Sequence, residues 1–168
     1  IRIRNYRRLR DVRIDLASDI SIFVGANNSG KTSACHALKM FASASKERFS
    51  FHDFNAECWP AFDAFGTGAP GTILPTISLD LWFQVEATDL HRVIDLLPSL
   101  TWHGSLVGLR VEFAAANSAT LLAHFTEAHM AARASIPPGE AADSYHPWPE
   151  GLRDYLDKHL QREFELRY

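Results

Sequence analysis

"FVGANNSGKTSACHAL", residues 23–38, decides how the chain folds. Gly25-Ala26-Asn27-Asn28-Ser29-Gly30-Lys31-Thr32 satisfies G-x-x-x-x-G-K-[ST] at every fixed position. With Gly at about 7% of residues, four such coincidences arise by chance in well under about one chain in a hundred of this length. A loop of this kind works between a buried strand and a helix, and the flanking sequence predicts both. "ISIFV", residues 20–24, reads as a short apolar strand buried on both faces of a sheet. Ala34, Ala37, Leu38 and Phe41 recur at helical spacing, which predicts an amphipathic helix from Lys31 to about Ser43.

The chemistry follows from the backbone. Glycines at 25 and 30 let successive N–H groups turn inward, forming a concave anion site under the positive end of the helix. Lys31 carries a point charge to the β- and γ-phosphates of a nucleotide, Thr32 offers its hydroxyl to a magnesium ion, and Ser33 reaches an α-phosphate. The expected cofactor-binding set is therefore Gly25, Ala26, Asn27, Asn28, Ser29, Gly30, Lys31, Thr32 and Ser33, with Thr32 also the metal ligand.

Upstream, "IRIRNYRRLRDVRIDL" alternates apolar residues twice, through Ile1 and Ile3 and then Val12, Ile14 and Leu16, around a polar centre from Asn5 to Arg10. Two strands joined by a tight connection are predicted. Downstream, residues 44–75 are rich in Gly and Pro and read as a long loop or insertion. Its aromatic run from Phe49 to Phe65 reads as a docking patch or, with twice the weight, as a satellite cluster under that loop. "TISLDLWFQVE" and "LVGLRVEF" alternate as strands. "DLHRVIDLL" places Leu90, Val93, Ile94 and Leu97 as a short helix. Asn117 is an expected N-cap for a helix to about Arg133, residues 134–149 form a proline-rich loop, and Leu152, Tyr155, Leu156, His159 and Leu160 line a last helix. "EFELRY" alternates as a final strand.

Asn5-Tyr6-Arg7, a second strand, and then "ISIFVGANNSGKTSACHAL" resemble the opening of the ABC-type ATPase heads of RecF, SMC-like proteins and above all the OLD (overcoming lysogenization defect) family. Those heads open with a strand, an Asn-aromatic-Arg turn, a second strand and a loop written G-x-N-x-S-G-K-[ST]. The likeness covers about the first 43 residues. It implies an α/β fold of the P-loop NTPase type, an ABC-ATPase-like head with an N-terminal antiparallel β-hairpin and a mixed sheet, all within one partial domain. It implies ATP and Mg2+ as cofactors and a homodimer of heads. It also implies a DNA nuclease or DNA-processing activity, of the sort used in antiphage defence, in a part of the protein beyond these residues. In such heads the basic residue after the aromatic lies near the nucleotide, which makes Arg7 a further expected ligand. Solvation of Arg7 and Arg8, or pairing with Asp11 and Asp15, is an equal alternative, and a guanidinium cluster also suits DNA phosphates.

Nucleotide cleavage needs more than a cradle. Magnesium takes a second, acidic ligand, and water needs a carboxylate or glutamine to orient it. The apolar run ending in Asp-Glu and the signature of ABC-type heads are both missing, so no catalytic residue is assigned. Asp80 is the nearest imitation of the acidic ligand, but its strand runs on through "LWFQVE". The eight histidines show no zinc spacing; His124 and His129, five apart, diverge on a helix. A kinase or GTPase reading sits poorly with two strands before the loop and without an Asn-Lys-x-Asp motif. A non-hydrolysing module, in which nucleotide props a partner-binding surface, is the remaining alternative.

The whole chain sets weaker bounds. At 168 residues, 46% hydrophobic and 22% charged, it is of ordinary globular composition. A formal charge of -3 gives no global reason to bind nucleic acid, yet Arg2, Arg4, Arg7, Arg8, Arg10 and Arg13 put six of the 17 basic residues at the start. Two cysteines, Cys35 and Cys58, suggest a reducing, cytoplasmic setting, and no run approaches the ~18 apolar residues of a membrane helix, so no membrane partner is expected. The start at Ile1 and the stop within a strand suggest a segment of a longer protein.

Overall fold

The alternation at the start of the chain produces a hairpin. In the computed structural model, which describes residues 1–43, 45–97, 99, 101–135 and 146–168, β1 (Arg2–Tyr6) pairs antiparallel with β2 (Leu9–Arg13) across the two-residue loop Arg7-Arg8. β3 (Ile77–Gln84), β4 (Leu106–Ala115) and β5 (Phe164–Arg167) complete a five-stranded sheet in the order β2-β1-β3-β4-β5. Every pairing is antiparallel among the described residues, so the expected mixed sheet is corrected.

Side-chain alternation gives the sheet two different faces. Ile3, Ile77, Leu79, Val111, Phe113 and Phe164 are buried on one, under α1 (Lys31–Ala42), α2 (Trp59–Gly66), α3 (Ser118–Ala134) and α4 (Leu152–Glu163). The other carries an ionic ladder in which Asp80 is held by Arg4 at 3.0 Å and by Arg110 at 2.7 Å, while Asp11 holds Arg2. Asn117 caps α3 as expected, its side chain accepting from the Thr120 N–H at 3.0 Å.

Three expectations change here. The aromatic run is the middle of the main core, neither a docking patch nor a satellite: Phe49 stacks on Phe113 at 4.3 Å between centroids, and Phe54 meets Phe62 edge-on at 5.0 Å. Around it, residues 45–75 hold single 3-10 turns and α2, joined to β1 by a bridge between Tyr6 and Phe54. The short helix expected at 90–97 is instead two 3-10 pieces, Ala87–Arg92 and Ile94–Leu96; Leu90, Val93 and Leu97 are only half-buried and Ile94 is exposed, so little packing supports a longer helix.

The third change matters most. Residues 20–24, expected as a buried strand, form no strand and lie open, with Ile20, Ile22 and Val24 exposed by 77%, 80% and 88%. A strand exists only through hydrogen bonds to neighbours, and none of the five strands pairs with this segment. Of the proline-rich loop, residues 136–145 lie outside the described residues. No helix among the described residues is long and apolar enough to cross a membrane.

Candidate functional site

The Asn5-Tyr6-Arg7 turn is a joint between the hairpin and the rest of the fold. Asn5 and Arg7 adopt left-handed backbone, φ 56° and 47°, which asparagine accepts readily and arginine only under constraint. The constraints are visible. Asn5 Nδ2 donates to Thr76 O at 2.9 Å, and Asn5 O accepts from the Asn55 N–H at 2.9 Å. Arg7 donates twice to Asp53, from its backbone N–H to the carbonyl and from Nε to Oδ1, each at 2.7 Å. Asp53 is buried and its Oδ2 accepts from the Ser50 N–H at 2.8 Å, so the carboxylate is fully employed. Tyr6 is fully buried with its phenol on His36 Nδ1 of α1. Burial first, and then the charge of Asp53, push that phenol well above the usual tyrosine range.

Past this joint, Leu9 meets the phosphate loop. Gly30 takes φ 92° as the N-cap of α1, and a Cβ there would fall 2.8 Å from Leu9 Cδ2. Asn28 is also left-handed, at φ 70°. Lys31 Nζ turns back into the curl, donating to Gly25 O at 2.7 Å, Ala26 O at 2.6 Å and Ser29 Oγ at 3.2 Å. The loop is thereby wound around its own ammonium group.

The donor set fits a polyphosphate. The first N–H of α1 to find a helical acceptor is that of Ala34, on Gly30 O at 2.9 Å. Those of Lys31, Thr32 and Ser33 precede it, no side chain caps the helix, and its first turn carries no acidic residue. These residues, with Asn28, Ser29, Gly30 and Arg8, line a cavity of about 130 Å3. Its wall offers main-chain amides, hydroxyls and two cationic side chains, and no carboxylate.

The structure thus brings Asn28 to Ser33 together at one cavity, with Gly25 and Ala26 behind them as acceptors for Lys31 and Asn27 exposed at the tip of the curl. Thr32 is exposed, open to a magnesium ion. Arg7 does not line the cavity; its guanidinium is on Asp53. Arg8 does, and no local pattern distinguishes these neighbours, because Arg7 is drawn away by Asp53, a residue distant in sequence. Asp80, only an imitation of the acidic ligand in the sequence, is placed away from the loop's cavity, with both its oxygens taken by arginines on the sheet's ionic face. Burial alone would raise its pKa, but hydrogen bonds from Arg110 and the charge of Arg4 outweigh it and hold the carboxyl below its usual range. Among the described residues no group of three or more His, Cys, Asp or Glu side chains is placed to hold a metal.

Over 81 residues the chain is 28% identical to the DNA replication and repair protein RecF of Lactococcus lactis subsp. cremoris (strain SK11), a stretch covering 48% of this chain and 22% of that protein. Over 50 residues it is 42% identical to the uncharacterized protein MJECL10 of Methanocaldococcus jannaschii, covering 30% of this chain and 22% of that one. The chain spans about a fifth of the length of these curated relatives. No solved structure matches it. The model of the AAA ATPase domain matches residues 1–113, two thirds of the sequence, and the chain belongs to that family.

Proposed function

We propose that this chain is the ATP-binding N-terminal part of an OLD-like, ABC-type ATPase head. The observation that carries the reading is the cavity at the start of α1, where orphan amides, the Lys31 ammonium and the Thr32 hydroxyl converge without an acidic neighbour. Residues Gly25 to Ser33 wrap the phosphates, Lys31 neutralises the β- and γ-phosphoryl oxygens, and Thr32 supplies one oxygen to Mg2+. Bound magnesium would draw charge from the phosphates and so ease their transfer to water. Its acidic ligand and the water-orienting group come from elsewhere in the full protein and from a second head docked on the first.

The exposed Ile20, Ile22 and Val24 support this reading, since an apolar strand leading into the loop belongs in a sheet whose other strands lie beyond the five described here. The RecF relative is named for DNA replication and repair, which favours a DNA-processing partner activity, and we extend the proposal to the gating of a DNA nuclease in the same protein. The test is Lys31→Ala in the full-length protein, with ATP affinity measured by titration calorimetry. Loss of binding supports the proposal, and unchanged affinity removes it. The lack of a carboxylate at the cavity favours one rival, a segment that binds nucleotide without cleaving it to hold a partner surface in place. ATP turnover that is measurable in the full-length protein and collapses in Lys31→Ala would dismiss that rival.

A further inference from the structure

We infer that Arg8 is a second cationic ligand of the nucleotide's phosphates, delivered by the β1–β2 turn. This rests on the nucleotide reading above and adds to it a residue outside the phosphate loop.

Charge pairing separates Arg8 from its neighbours. Among the described residues, Arg2, Arg4, Arg7, Arg10 and Arg13 each have a carboxylate oxygen within 3.1 Å. Arg8 has none, and its Nη1 lies 3.5 Å from Asn28 O, on the rim of the cavity it shares with Lys31. An exposed arginine beside a main-chain carbonyl gains little from that contact. An anion in the cavity would meet its planar fork of donors together with the helix amides, the arrangement in which guanidinium binds phosphate best.

Position is fixed from both sides. Arg7 is anchored to Asp53 through backbone and side chain, and Leu9 is buried against Gly30. Arg8 lies between two immobilised residues, so little further ordering is needed to aim it. The same pairing argues against a DNA backbone as the target of this edge. Neutralised neighbours leave no cationic stripe for a polymer to follow, whereas one unpaired arginine at a small cavity suits one small polyanion.

The experiment uses the full-length protein, with Mg-ATP, Mg-ADP and adenosine titrated by calorimetry into wild type, Arg8→Ala, Arg8→Lys, Arg10→Ala and Lys31→Ala, and with Tm recorded for each. Arg8→Ala is expected to weaken ATP and ADP by about ten- to a hundredfold, the range for a hydrogen bond to a charged group, while adenosine and Tm stay unchanged. Arg8→Lys should recover part of the loss, and Arg10→Ala should stay within about twofold of wild type, as expected for an exposed surface pair. Wild-type ATP affinity in Arg8→Ala beside a non-binding Lys31→Ala overturns the Arg8 assignment alone. So does loss of DNA binding in Arg8→Ala with nucleotide affinity intact. Full ATP affinity in Lys31→Ala overturns the nucleotide reading and this inference with it.

Discussion

The phenol of Tyr6, on the strand that opens the chain, is hydrogen-bonded to Nδ1 of His36, one turn inside the helix that begins at the phosphate loop. The two rings lie near-parallel, 6.1 Å between centroids. This contact ties the hairpin to the phosphate-loop helix. Tyr6→Phe keeps the buried ring and removes the bond, so urea denaturation should show a loss of about 0.5–1.5 kcal/mol. A loss well beyond that range would mean the contact supports more of the fold than a single hydrogen bond.

Gly30 is held by two separate demands, a left-handed φ and the side chain of Leu9. Gly30→Ala should therefore destabilise by about 1–3 kcal/mol from backbone strain, with a steric component added. Leu9→Ala alone opens a cavity and should cost about 2–5 kcal/mol. In the double variant the steric component disappears, so the combined loss should fall short of the sum. Strict additivity in the double-mutant cycle would show that Leu9 does not press on Gly30.

Acid should weaken the sheet through Asp80. Its carboxyl is held below the usual range in the folded protein, so the ion pairs stabilise fully above the unfolded carboxylate pKa of roughly 3.9 and fade as pH falls through the lower folded value. Asp80→Asn should be less stable than wild type at neutral pH by about 1.5–3 kcal/mol, and the gap should begin to narrow only once pH falls below about 4. Parallel denaturation curves at all pH values would contradict this.

Residues 20–24 should behave differently in isolation and in the whole protein. In the 168-residue chain their amides have no strand partners and should exchange with deuterium at close to the rate of unstructured peptide. In the full-length protein they should be protected. Fast exchange in both would remove the idea that further strands cover Ile20, Ile22 and Val24.

How much was legible varies with how local each determinant is. β3, β4 and the Asn117 cap are set by alternation and capping chemistry and sit where the pattern puts them; the hairpin forms as well, but its second strand is Leu9–Arg13, so Leu9 and Arg10 belong to the strand and not to the connection, while Ile14 and Leu16 lie past its end. Phe49 and Phe54 were not readable as core, because they lie outside any regular element and no period marks their buried side, and Phe62 sits in a helix of only eight residues; burial there is decided by Phe113 and Phe164, more than fifty residues away in sequence. The segment at 20–24 shows the reverse. Its apolar pattern announces a strand, but pairing is a property of neighbours, and the pattern says nothing of where they are. At the site, the loop motif marked its own residues, while the division of labour between Arg7 and Arg8 rests on Asp53, forty-six positions away from Arg7.

The phosphate loop is anchored unequally. Its downstream end runs into the packed helix under Leu9, while the backbone from Asp15 to Ile22 upstream is exposed. Any ligand that requires one shape of this arch must still it, at about 1–2 kcal/mol for each residue fixed, unless a neighbouring element has done so first. Nucleotide affinity is then a gauge of assembly. Whatever comes to rest along Ile20 and Ile22 tightens the grip at Lys31 from a distance, and by reciprocity an occupied grip strengthens that association.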